Sequence, residues 1–140
     1  MKNIGVSIIT VVYNNIRGIE RTIQSVLNQS YNNIEYIIID GGSTDGTLDV
    51  IKRYENRISY WISEADEGIY NAMNKGILKA HGSFLNFMNS GDTFVTSTTI
   101  ERLIERYEKG DKIIYGNILK CYDRRKERTS GIVSSHPDII

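Results

Sequence analysis

Two aspartates occupy positions where chemistry is easy to assign. Asp40 ends the apolar run Tyr36-Ile37-Ile38-Ile39 and is followed by Gly41-Gly42-Ser43-Thr44-Asp45, while Asp92 follows Phe84-Leu85-Asn86-Phe87-Met88 through Asn89-Ser90-Gly91. A carboxylate at a strand end can accept the ring N–H of a uracil, thymine or guanine, and an aromatic residue such as Tyr13 offers a face for stacking. A carboxylate repels phosphate but can hold Mg²⁺ or Mn²⁺, which neutralises it. Asp40 is therefore expected to read a base, and Asp92 to coordinate a metal beside a diphosphate. Gly41 and Gly42 allow a sharp turn and close approach of a ligand; Ser43 is expected to cap the next helix, with Asp45 at its positive end.

Positioning these groups takes alternating strands and helices. Val6 to Tyr13 is β-branched and almost wholly apolar, the signature of a strand covered on both faces, and Asn14-Asn15 ends it. Ile16, Ile19, Ile23, Val26 and Leu27 fall at helical spacing and predict an amphipathic helix before the second strand, which ends at Asp40. Leu48, Ile51 and Tyr54 predict a second helix and Arg57 to Ile62 a third strand, followed by the acidic loop Ser63 to Gly68. Ile69, Met73, Gly76, Ile77 and Ala80 share one face of a third helix, in which Gly76 costs stability unless something packs closely against it. His81-Gly82 reads as its C-terminal glycine cap.

Phe84 to Met88 is the fourth strand. Thr98 and Glu101 are spaced as a capping box for a helix carrying Ile100, Leu103, Ile104 and Tyr107, Gly110-Asp111 stops it, and Lys112 to Leu119 reads as a fifth, closing strand. This alternation predicts an α/β fold with a mostly parallel central sheet and helices on both faces, placing Tyr13, Asp40 and Asp92 on one rim. Open α/β sheets bind ligands at that rim.

Composition narrows the options further. The 140 residues suit a single domain, and 17 basic against 17 acidic residues give no charge steering towards nucleic acid. The single cysteine, Cys121, excludes an internal disulfide and fits a reducing compartment. Met1 to Gly5 lacks the features of an export signal, and no apolar run approaches the roughly 20 residues that span a bilayer. The turn Tyr13-Asn14-Asn15-Ile16-Arg17-Gly18 lacks the dinucleotide fingerprint, and the chain has neither a phosphate-binding P-loop nor a Gly-x-Ser-x-Gly elbow. Two histidines and one cysteine, widely separated, exclude a zinc cluster of ordinary spacing. Lys120 to Arg128 holds five basic and two acidic residues around Tyr122, which reads as a solvated hairpin or as an arm touching phosphate or anionic lipid.

Four stretches in order, Val6 to Asn14, Ile39 to Thr47, Ser63 to Gly76 and Phe87 to Asp92, resemble the signatures of family 2 glycosyltransferases over about residues 4 to 119, and closely resemble bacterial enzymes that build surface polysaccharides. The resemblance implies a GT-A fold with a Rossmann-like nucleotide-sugar-binding half, Mg²⁺ or Mn²⁺, and transfer with inversion to a saccharide or lipid-linked acceptor. A UDP-sugar is the favoured donor, with GDP- or dTDP-sugars as alternatives. Carried over by position, Thr10, Val11, Tyr13 and Asn14 line the base and ribose, and Asp40 with Gly41 meets the base. Asp66, Asn74 and Lys75 border the ribose and pyrophosphate, while Asn89, Ser90 and Asp92 replace an Asp-x-Asp motif and leave Asp92 as the one strong hard-metal ligand. The resemblance further implies the donor-binding part of a longer cytoplasmic enzyme, at the inner face of the membrane or free of it; apolar surface left exposed where the rest of such an enzyme would pack is expected to favour self-association. Asp123, Glu127 and His136 match no general-base motif, so the base is expected outside this chain. The alternative is a non-catalytic nucleotide-sugar-binding module.

Overall fold

The computed structural model describes residues 3–112, 117–119 and 132–134. Four strands, β1 (Val6–Val12), β2 (Ile34–Asp40), β3 (Tyr60–Ser63) and β4 (Phe84–Phe87), form one sheet in the order β3-β2-β1-β4, and every pairing is parallel. Four helices alternate with them: α1 (Ile16–Leu27), α2 (Thr47–Arg53), α3 (Ile69–Lys79) and α4 (Thr99–Glu105). The expected α/β architecture is present.

Strand alternation divides the core into two layers. Val6, Ile8 and Val12 of β1, with Tyr36 and Ile38 of β2, pack against Ile19, Ile23 and Val26 of α1, Val50 and Ile51 of α2, and Ile100 and Ile104 of α4. On the other face Ile9, Val11, Ile37 and Ile39 meet Ala72 and Met73 of α3. Both faces of β1 and β2 are thus covered, which explains why these two strands are almost continuously apolar.

Gly76 is where α3 touches the sheet most closely: a Cβ there would stand 2.5 Å from Ile9 Cγ2. The helix accepts a glycine because the strand beneath leaves no room for a methyl group. Gly82, expected as a helix cap, has another role. Helix α3 ends with Ala80 in an extended conformation, and a Cβ at Gly82 would lie 2.6 Å from the Ser7 backbone nitrogen, so this glycine lets the chain pass close beside β1.

Two expectations on capping are corrected. Helix α2 starts from Gly46, whose φ of 100° is left-handed, and not from Ser43. Thr98 is the N-cap residue of α4 but forms no side-chain cap bond, and Glu101 instead accepts from Ser30 Oγ at 2.8 Å. Of the expected closing strand, Lys112 to Leu119, residues 113–116 lie outside the described residues, and β5 (Asn117–Leu119) is antiparallel to β6 (Ile132–Ser134) in a separate two-stranded sheet. Cys121, the basic stretch 120–128 with Tyr122, Asp123 and Glu127, and His136-Pro137 lie outside the described residues. Among the described residues no helix is long and apolar enough to cross a membrane.

Candidate functional site

The carboxyl ends of the parallel strands form one rim. Backbone hydrogen bonds continue past the strands there: Gly41 N–H donates to the Val12 carbonyl at 2.9 Å, Glu64 N–H to the Asp40 carbonyl at 3.0 Å, and Ser90 N–H to the Val11 carbonyl at 3.1 Å. The segments 63–66, 40–43, 12–15 and 88–92 are therefore neighbours in that order.

Asp40 does not face the open rim. Its relative exposure is 0 %, and its carboxylate accepts from Ser43 N–H at 3.0 Å, from Ser43 Oγ, and from Ser63 Oγ at 2.6 Å. A buried carboxylate must have its lone pairs satisfied, and here the protein satisfies them itself. The expectation that Asp40 meets a base directly is corrected: it fastens the 40–43 turn to the end of β3. Ser43 Oγ in turn accepts from Asn14 N–H at 2.8 Å, and Asn14 Oδ1 accepts from Thr44 N–H at 2.7 Å, which locks β1's exit against the same turn. Asp45 joins this lattice through Thr47 Oγ1, Thr47 N–H and Ile16 N–H. The Thr47 hydroxyl above all, helped by the backbone donors, holds the Asp45 carboxyl below the ordinary carboxylate range.

Thr10 and Val11 are corrected as well. Thr10 is fully buried, sharing a hydrogen bond of 2.9 Å with the Tyr36 hydroxyl, and Val11 is buried beneath α3. Tyr13 and Asn14 are the exposed members of that group, with Tyr13 65 % exposed.

Asp66 is the acid that lies at the rim beside Gly41. It is half-buried, and its Oδ1 accepts from Gly68 N–H at 3.0 Å. Lys75 does not lie free to meet phosphate: its ammonium pairs with Glu64 at 3.1 Å and reaches the Ala65 carbonyl at 3.3 Å, tying α3 to the acidic loop. Asn74 is exposed.

At the other side of β1 the turn 89–92 is built by residues that motif reading overlooked. Thr22 Oγ1 donates to the Asp92 carbonyl and accepts from Gly91 N–H, each at 2.8 Å. Asn15 caps α1 through Gly18 N–H and passes its amide to Ser90 Oγ at 2.6 Å. A hydroxyl beside the apolar stripe of α1 and a repeated asparagine before it were the available signals. The Asp92 side chain is exposed, and Asn89 Oδ1 is buried with no hydrogen-bond partner among the described residues.

An exposed carboxylate and an orphaned amide oxygen in one turn are hard donors of the kind Mg²⁺ and Mn²⁺ take, with oxygens of a bound phosphate needed to fill the shell. No group of three or more His, Cys, Asp or Glu side chains able to hold a metal occurs among the described residues. A groove of about 380 Å³ lined by Val6, Phe84, Asn86, Ile100 and Leu103 lies at the opposite end of β4 and contains none of the expected site residues.

Comparison with known proteins agrees with this architecture. The family described as glycosyl transferase family 2 matches residues 7–137. An uncharacterized glycosyltransferase of Mycobacterium tuberculosis is 42% identical over 101 residues, covering 71% of this chain and 38% of its own length. Among solved structures, a mannosyltransferase of Pyrobaculum calidifontis in complex with GDP-Man and Mn²⁺ superposes with a TM-score of 0.69 at 21% identity, over 74% of this chain and 32% of its own. TarS 1-349 of S. aureus in complex with UDP-GlcNAc gives a TM-score of 0.57 at 25% identity, over 62% of this chain and 26% of its own. The chain spans less than half the length of the curated relatives it matches.

Proposed function

Because the chain belongs to glycosyl transferase family 2, we propose that its rim binds the nucleotide-sugar donor of a metal-assisted, inverting transfer to a hydroxyl acceptor. The observation that carries this reading is the placing of the exposed Tyr13 and Asp92 and the half-buried Asp66 along adjoining segments at the carboxyl ends of parallel strands, the place where such sheets take ligands. The TarS neighbour binds a UDP-sugar on the same fold. Tyr13 stacks on the base, and Asn14 and Gly41 form the floor beneath it. Asn74 and Lys75 border the ribose and pyrophosphate once Lys75 leaves Glu64. Asn89, Ser90 and Asp92 take the phosphate end.

Asp92, with Asn89 beside it, would hold the divalent cation. That cation supplies positive charge to the leaving diphosphate. The chain's own contribution is to fix the donor: Asp40 and its serines keep the turn rigid, and Thr22 and Asn15 hold the 89–92 turn at a set distance from Tyr13. Rigid placement of a reactant is worth a large part of a transfer barrier. In this reading the chain is the donor-binding part of a longer enzyme, works on the cytoplasmic side, and serves a saccharide or lipid-linked acceptor in surface-polysaccharide synthesis.

Calorimetric titration with UDP, GDP and dTDP, with and without Mn²⁺, tests the proposal. Saturable heat with at least one of them, increased by the metal, is expected; folded protein giving no heat with any would refute it.

A further inference from the structure

Gly41 and Asp66 together suggest how the rim chooses its base. A Cβ at Gly41 would stand 2.8 Å from Asp66 Oδ2, 3.3 Å from its Cγ and 3.4 Å from its Oδ1. The carboxylate therefore fills the space that a side chain at position 41 would take. By strand alternation the side chain of position 41 would point to the same face as Ile37 and Ile39, the α3 face, and Tyr13 continues Ile9 and Val11 onto that face. Gly41 also bonds to Val12, the residue before Tyr13. The segments that carry the exposed Tyr13 ring and the Asp66 carboxylate thus lie on either side of Gly41, while the other acid, Asp40, is sealed beneath the rim.

We propose that Asp66, and not Asp40, determines base specificity, its Oδ2 accepting the imide N–H of a uracil or thymine stacked on Tyr13. This rests on reading the rim as a donor site. Among the described residues nothing donates to Oδ2, whereas Oδ1 is committed to Gly68 N–H. A carboxylate with one uncommitted oxygen matches a single N–H donor. Guanine presents adjacent N1–H and amino donors that call for both oxygens, and cytosine presents an unprotonated ring nitrogen that a carboxylate repels. The preferred donor is therefore a uridine or thymidine diphosphate sugar.

Asp66→Asn tests this with little change of shape. Keeping its carbonyl on Gly68 N–H turns the NH₂ group outward, so a donor replaces the acceptor. The wild-type protein, titrated in the presence of Mn²⁺, is expected to bind UDP and dTDP more tightly than GDP or CDP. Asp66→Asn should weaken UDP roughly 10- to 100-fold and bind CDP more tightly than wild type does. Gly41→Ala presses on the free end of the Asp66 side chain, which can swing away, so it should fold and weaken UDP. Glu67→Gln, an exposed neighbour, should preserve the wild-type order. Unaltered UDP affinity in both folded variants, Asp66→Asn and Gly41→Ala, overturns the assignment and leaves the donor reading standing; wild-type protein that binds no nucleotide overturns both.

Discussion

Asp40 is the residue at which the order of the sequence and the arrangement in space diverge. An acid closing a buried strand beside two glycines has the form of a ligand-facing group, yet three protein donors converge on it and no surface is left to solvent. Asp40→Ala would leave two hydroxyls and one backbone N–H without their acceptor, and should cost roughly 3 kcal/mol or more of stability, read by denaturant unfolding. The partners that seal it, Ser43 and Ser63, lie 3 and 23 residues along the chain from Asp40, and their convergence on one carboxylate is a property of the fold. Asp92 differs in being exposed. Asp92→Asn should remove most of the increase in UDP affinity that Mn²⁺ produces while leaving metal-free binding nearly intact, as titration at fixed metal concentration would record. At the opposite end of the sheet Glu35 accepts from Ser7 Oγ, His81 N–H and the His81 ring. Partial burial of Glu35 opposes its ionisation, but these bonds and the attraction of His81 outweigh it and lower its pKa from the ordinary 4.5. A depressed folded-state value gives stability that is complete above the unfolded pKa and is lost as pH falls through the folded one. Glu35→Gln should therefore flatten the fall in melting temperature on acidification below 4.5, compared with wild type.

At the scale of elements, periodicity was a good guide because burial enforces it. Three sheet strands and the four helices lie where apolar spacing predicts them, since β1 and β2 are covered on both sides and each helix turns a single stripe inward; β3 starts at Tyr60, and Arg57, expected at its start, instead ends a 3-10 turn, Glu55–Arg57. Helix ends were less legible. Capping depends on which donors already have partners: Ser43 is engaged with Asp40 and Asn14, so α2 begins at a left-handed glycine instead. The closeness required at Gly76 was legible as a cost needing compensation, and Ile9 is what compensates it. Gly76→Ala should gain about 1 kcal/mol in helix propensity but lose about 1–3 kcal/mol to overpacking, giving a net loss in urea unfolding. Gly76→Val should lose more. If Gly76→Ala were stabilising, the close packing of α3 on β1 would be refuted.

The whole molecule adds what no single element contains, namely strand order. Alternating β and α segments imply a parallel sheet, but the sequence does not say that β1 lies between β2 and β4, and that order is what puts Tyr13 between the 40–43 and 88–92 turns. The same order separates the two acids by function: one is interior scaffold, and the other lies at the open surface beside the orphaned Asn89 oxygen. The fold class and the rim were thus readable from patterning, whereas the choice of which rim residue faces outward depended on hydrogen bonds between segments far apart in the chain. The central claim is that this rim receives a nucleoside diphosphate. An amide-resolved NMR titration of the protein with UDP and Mg²⁺ addresses it most directly. Shifts concentrated at Tyr13, Gly41, Asp66 to Gly68 and Ser90 to Asp92, with Glu35 and His81 unmoved, are the predicted result; saturating shifts centred on the Glu35–His81 end, or none at all from folded protein, would contradict it.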